Sequence, residues 1–205
     1  MGALLDVLGS VIAGGIVIIT IIFSILNIQR TNYTVQTMLS LNTAANRITE
    51  TIDLDFFEHV GRNVEELGDV FGPVVNARMF QYRMNTQYNA PLAQQFLYTV
   101  QTVQDGNNIY LQVNQSFRSG TTWSAPAQRF SSAPFSFDSM DVFTYLDVNG
   151  NELVPPIADL TNIRGVRIDL VYVAPAYNAG ELIQFPITFW RLFNNVYIAA
   201  GPPDP

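Results

Sequence analysis

Residues 4–28 read LLDVLGSVIAGGIVIITIIFSILNI, 25 consecutive residues with one charge, Asp6, and no proline. A run of eighteen or more nearly uncharged apolar residues is a candidate membrane-spanning helix. At 1.5 Å per residue this one is about 37 Å long, enough to cross a ~30 Å hydrocarbon core with some tilt. A secretory signal would show a basic n-region, an apolar core of roughly 7–15 residues and a small-residue cleavage site. Here only Met1, Gly2 and Ala3 come first, the apolar run is longer and no A-x-A follows, so the segment is read as retained. The Met-Gly opening of a myristoylation signal is present, but Asp6 stands where that signal needs Ser or Thr. Arg30 is the only basic side chain near the run, and it follows it.

Within the run, Gly9, Ser10, Gly14, Gly15, Thr20 and Ser24 are small. Small residues let a second helix approach closely, and Gly14-Gly15 is also a place where a helix could bend or unwind. Asp6 has two readings. A carboxylate in an apolar span is costly and marks function. Alternatively it lies at the interface, where the helix N-terminus favours an acid and water is in reach.

Outward from this stretch the helical pattern continues and becomes amphipathic. Val35, Met38, Leu41, Ala45, Ile48 and Ile52 form one apolar stripe, and no proline interrupts residues 4–72. A helix from Leu4 to about Val60 would be ~85 Å long, more than a compact domain of roughly 140 residues can bury. Gly61 is a helix end, Asn63 a cap for a short second helix over residues 64–71, and Gly72-Pro73 the close of the helical part.

From Val75 the period changes to two. Phe80, Tyr82 and Met84 mark a strand. Residues 96–103 and 109–117 flank Asp105-Gly106 as a hairpin, and residues 142–146 and 153–154 flank Asn149-Gly150 as a second. Residues 163–173 form a strand with Val166, Ile168, Leu170 and Tyr172 on one face. Residues 182–193 form another, in which Pro186 marks an edge or bulge. The Ser-, Gly- and Pro-rich stretch between is a long surface loop at 118–135. The expected fold is α+β: a long N-terminal helix, hydrophobic then amphipathic, packed on an antiparallel sheet of six or seven strands. Three regions result: 1–29, the hydrophobic transmembrane or assembly helix; 30–72, its amphipathic continuation with a short second helix; and 73–205, the β domain.

Composition narrows the chemistry. The chain has 205 residues, no Cys and no Lys, and a formal net charge of −7. Disulfides, thiolate zinc sites, cysteine nucleophiles, Schiff bases and a P-loop lysine are excluded, and a basic nucleic-acid footprint is missing. The single His59 sits among Phe56, Phe57 and Val60 with no serine elbow nearby, which points to packing or surface. Asp147 to Asn151 glances at a calcium loop, but Glu152 and Ala158 occupy the positions that need Gly and Glu, so a hairpin turn is the reading. Asn32 and Asn114 open formal glycosylation sequons. Neither an enzyme, a cofactor, a metal nor a small-molecule substrate is expected.

Three stretches resemble the type IV pilin and pseudopilin superfamily, in particular its larger minor members. Gly2-Ala3-Leu4-Leu5-Asp6 and the apolar run resemble the mature N-terminus of that family, an aromatic or Met residue followed by T-L-I-E and a hydrophobic helix. Residues 42–61 resemble the second half of its first helix. FTYLDVNGNEL at 143–153 and LTNIRGVRIDL at 160–170 resemble its later hairpin and strand. A basic leader ending in Gly is not visible before the run, Asp replaces the signature Glu, and the helix-breaking proline of major pilins is missing, a job Gly14-Gly15 could do. If Met1 is removed, Asp6 becomes the fifth residue, where the family has its Glu.

The resemblance implies a structural subunit that waits in the inner membrane and then packs its helix into a filament core at the cell surface. Asp6 would pair with the terminal amine of a neighbour, and Gly2, Leu4, Leu5, Gly14 and Gly15 would belong to the assembly face. Partners would be copies of itself or other pilin-like subunits. The alternative is a single-span accessory subunit of an inner-membrane complex, with the β domain as its docking module.

Overall fold

The computed structural model describes residues 2–87, 95–178 and 180–196; the side chains of Leu5 and Ser119 lie outside the described set. Helix α1 spans Gly2–Thr51, and helical turns continue to His59. The strands are β1 (Phe71–Val75), β2 (Met79–Asn85), β3 (Gln95–Asp105), β4 (Asn108–Ser119), β5 (Thr122–Trp123), β6 (Ala127–Ser131), β7 (Ser136–Phe137), β8 (Phe143–Leu146), β9 (Glu152–Leu153), β10 (Gly165–Pro175) and β11 (Leu182–Leu192). The protein is α+β. It divides into two compact units, one comprising Met1–Ser40 and Pro175–Ile183, the other Leu41–Ala174 and Gln184–Pro205.

In the second unit the helix packs on the sheet. Leu41, Ala44, Ala45 and Ile48 are buried, while Val35 and Met38, the start of the expected stripe, remain exposed. The stripe therefore becomes a core only from Leu41 onward. After Thr51 the helix passes into a π turn, Ile52–Phe56, and a 3₁₀ turn, Phe57–His59. In a regular α-helix, adjacent side chains point about 100° apart. The change of winding lets Phe56 and Phe57 both turn inward, at 8% and 1% exposure. Phe57 meets Phe80 at 5.5 Å and Phe56 meets Tyr98 at 6.1 Å between ring centroids. Arg191 of β11 donates to Asp53 of the π turn at 2.9 Å.

Gly61 ends the helical part as expected, with φ +70 and its N–H donating to the Arg83 carbonyl at 3.1 Å. The expected second helix over 64–71 is replaced. A single 3₁₀ turn, Leu67–Asp69, remains, and Phe71 already opens β1. Asn63, at φ 56, does not cap a helix. Its side-chain amide donates to the Asn85 carbonyl at 3.1 Å and the Asn85 amide donates back to Asn63 at 3.0 Å, so its polar groups tie the turn to β2.

The sheet order is β1-β2-β3-β4-β7-β10-β8-β9, with β5 and β6 on β4 and β11 on β10. The β3–β4 hairpin closes with Asp105 opposite Asn108, and Gly106, at φ 59, takes the first position of the two-residue loop. The second hairpin pairs Leu146 with Glu152. Its Asp147 carboxylate accepts from the Asn149 and Asn151 N–H groups, each at 2.8 Å, which makes it an Asx-type turn. In β10, Val166, Ile168, Leu170 and Tyr172 are all fully buried, as the alternation predicts. β11 pairs with β10 alone among the described strands, and Pro186 sits exposed on it, an edge-strand placement.

The stretch expected as a surface loop at 118–135 carries β5 and β6. β6 pairs with β4 across a bulge between Val113 and Asn114, and Ser132 donates its N–H to the Leu111 carbonyl while its hydroxyl accepts from the Leu111 N–H. These backbone contacts, with Phe130 packed at 6.1 Å from Phe56, make strand out of a composition that reads as loop. Trp123 of β5 lies under two guanidinium groups, Arg83 at 5.9 Å and Arg118 at 6.0 Å.

A candidate membrane-spanning and assembly helix

The first unit is dominated by α1. The described residues from Gly2 to Arg30 are exposed apart from a half-buried Gly15, and the most apolar window of the helix buries none of its residues. Leu4 is 77% exposed, and Val7, Val11, Ile16, Phe23 and Ile28 also stand open. This helix is long and apolar enough to cross a membrane. Its hydroxyls are already satisfied: Ser10 donates to the Asp6 carbonyl at 2.8 Å, Thr20 to Ile16 at 2.9 Å and Ser24 to Thr20 at 2.9 Å. That back-bonding removes the cost of taking a hydroxyl out of water.

The six residues singled out for assembly lie on this helix. Gly2, Asp6 and Gly14 are exposed; Leu5 is helical, its side chain outside the described set. Gly14 and Gly15 leave the helix unbroken, and a Cβ at Gly2, Gly14 or Gly15 would meet nothing within 4 Å. Among the described residues the Asp6 carboxylate meets no hydrogen-bond or ion-pair partner. Counting residues gives its depth for a helix lying in lipid. With Ile28 at one boundary of a ~30 Å core, the other boundary falls about 20 residues back, near Leu8. Asp6 then stands roughly 3 Å outside the core, in reach of water. Its carboxylate would lose that water only if the helix moved into a protein interior.

At the other end of the run a second constellation appears, which the sequence does not disclose. Arg30 donates to the Asn178 side-chain oxygen at 2.9 Å and lies 6.0 Å from the Tyr177 ring centroid. Tyr33 meets the same ring edge-on at 6.0 Å and donates its hydroxyl to the Pro175 carbonyl at 3.1 Å. The β10–β11 turn is held by its own bonds, Asn178 to Glu181 at 3.0 Å and the Ala176 N–H to the Glu181 carbonyl at 3.0 Å. Periodicity speaks only of neighbours within an element, so it cannot couple residues 30 and 178.

The β-rich unit presents other surfaces. Trp190 is 76% exposed on β11, beside Val148 and Leu192, in a groove also lined by Gly150, Glu152 and Arg167. Arg167 bridges Glu152 at 2.5 Å and Asp169 at 3.0 Å. A polar cleft is lined by Glu65, Glu66, Asp69, Arg83, Gln95 and Arg118. In it Arg83 pairs with Asp69 at 2.6 Å and Arg118 donates to Gln95 at 2.9 Å. His59 lies in the 3₁₀ turn, half-buried, with the Arg62 guanidinium 3.5 Å from its Nδ1. Among the described residues no three His, Cys, Asp or Glu side chains are arranged to hold a metal ion. The Asp147 carboxyl is held below its ordinary range, first by the Asn151 side chain and then by the backbone N–H groups of the same turn. Its acceptor sites are thus occupied by its own hairpin.

Comparison with family models, with curated proteins and with solved structures finds no match to this chain.

Proposed function

We propose that this chain is a structural subunit of a pilin-like filament or pseudopilus, assembling through α1. The observation that carries the reading is one uninterrupted helix with two surfaces. The described residues from 2 to 28 are exposed and predominantly apolar, and from Leu41 the same helix is built into the core of an α+β body. A helix apolar on all sides needs lipid or other helices around it. In this reading it has lipid first, in the inner membrane, and neighbouring subunits afterwards, at the cell surface. Asp6, without a partner among the described residues, supports the second environment: once removed from water, a carboxylate needs a cation, and a neighbour's terminal amine supplies one. The role is architectural and includes no catalytic step and no cofactor.

The test is electron microscopy of sheared cell-surface material beside membrane fractionation, for the natural chain and for Asp6→Ala. Fibres containing the natural chain are expected. Asp6→Ala should remain in the membrane, with its β unit as protease-resistant as before, and give no fibres. Normal fibres from Asp6→Ala would remove the electrostatic part of the reading.

Trp190 favours a second reading, a single-span accessory subunit of an inner-membrane complex that docks through its β unit. An exposed Trp flanked by Val148 and Leu192 is the kind of anchor that protein interfaces use. In that case the chain fractionates only with membranes, and Asp6→Ala changes nothing.

A further inference from the structure

We propose that the turn between β10 and β11, together with the Arg30–Tyr33 turn of α1, forms a collar that seats in the headgroup layer of the bilayer. This deepens the membrane-resident stage of the reading above and rests on it. The exposed apolar surface of α1 runs to Ile28, which is 60% exposed, and Gln29, Arg30, Thr31 and Asn32 follow it. The headgroup layer on each side of a ~30 Å core is roughly 5–7.5 Å thick. Arg30 stands about 3 Å beyond Ile28 along the helix axis and Tyr33 about 7.5 Å beyond it, so the two side chains span that layer. Tyr177 is in ring contact with Tyr33 and under the Arg30 guanidinium, so it shares their depth. Leu182, the first residue of β11 and next to the Glu181 carbonyl that accepts from the Ala176 N–H, is 61% exposed and Tyr177 is 45% exposed, which leaves an aliphatic and an aromatic surface open at the turn.

The chemistry fits a lipid surface. Tyr rings with one wet end and one apolar body concentrate at membrane interfaces, and Arg beside them meets lipid phosphates. The polar ends are oriented in advance: the Tyr33 hydroxyl is committed to Pro175 and one Arg30 nitrogen to Asn178, which leaves the ring bodies and the other guanidinium nitrogens to the lipid. Burial of Leu182 and the Tyr177 edge within the headgroup layer adds apolar area to the anchor, and it gives the helix a fixed depth that a span alone does not have.

The chain has no native Cys, so single cysteines can carry a polarity-sensitive fluorophore at chosen sites. The full chain is reconstituted in vesicles of phosphatidylcholine with phosphatidylglycerol, containing nitroxide lipids labelled at the headgroup or at mid-chain. The probe at Leu182→Cys should lose fluorescence to the headgroup nitroxide. The probe at Ile18→Cys should lose it to the mid-chain nitroxide. Adding Tyr177→Ser should weaken the loss at Leu182→Cys and leave that at Ile18→Cys unchanged.

Quenching at Ile18→Cys without quenching at Leu182→Cys overturns the collar and keeps the span. No quenching at Ile18→Cys overturns the span and the collar with it. A blue-shifted Leu182→Cys probe that no nitroxide reaches identifies a second copy of the chain as the occupant, and also overturns the collar.

Discussion

Two buried tyrosines show how much of the core depends on where a hydroxyl points. Tyr82 and Tyr172 are each fully buried. Burial raises the pKa of both phenols, so they stay neutral donors at any physiological pH. The Tyr82 hydroxyl donates to the Phe56 carbonyl at 2.9 Å, where the π turn has loosened the helix, and its ring stacks on Tyr98 at 5.2 Å. Tyr172 packs edge-on against Phe137 at 4.9 Å, and its hydroxyl has no partner among the described residues. Removing a bonded hydroxyl strands its acceptor, whereas removing an unpaired one relieves a desolvation cost. Tyr82→Phe should therefore cost about 1–2 kcal/mol, and Tyr172→Phe should be neutral or mildly stabilising. Urea unfolding of the full chain in detergent, followed by tryptophan fluorescence, checks both; equal losses would contradict the assignment. Asp147 gives the pH counterpart. Its folded pKa lies below the ordinary 3.8, so its contribution is present above that value and is lost as pH falls through the lower folded value. Below about pH 4 the natural hairpin should weaken, and Asp147→Ala should show a flatter acid limb of the unfolding midpoint against pH.

At the scale of elements, the exit from the helix is the most constrained point. Gly61 has φ +70, and a Cβ there would stand 3.1 Å from one Val70 methyl and 3.3 Å from a Val196 methyl. Strain and crowding act together, so Gly61→Ala should cost about 1–3 kcal/mol, read as a lowered urea midpoint with an unchanged slope. This position was legible in the sequence because a glycine closes an apolar periodicity there. So were the β3–β4 hairpin, from Asp105-Gly106, and β10, from strict alternation. The winding change at Ile52–Phe56 was not, because it answers a demand from outside the helix: two adjacent phenylalanines must reach the same core. β5 and β6 were not legible either, since their partners' backbone and not their own side-chain pattern makes them strands. The loss of the short second helix has the same origin, in the exchange of amide bonds between Asn63 and Asn85.

For the whole molecule, the useful question is which change is silent in one chain and loud in many. The Gly14-Gly15 pair answers it. Added side chains there would meet nothing within 4 Å. In a lone helix, leucine is a better helix former than glycine by about 0.5–1 kcal/mol per residue, and in a span it is more apolar. Gly14→Leu with Gly15→Leu should therefore hold the chain in the membrane at least as firmly, measured by resistance to alkaline extraction, and leave the β unit's protease resistance untouched. Between helices the sign reverses. Small residues set how closely two backbones approach, and two leucines hold them apart. Fibre yield in sheared material should fall while membrane retention rises. The opposed signs separate an assembly face from a plain anchor: a span that only sits in lipid gains on the first measure and loses nothing on the second.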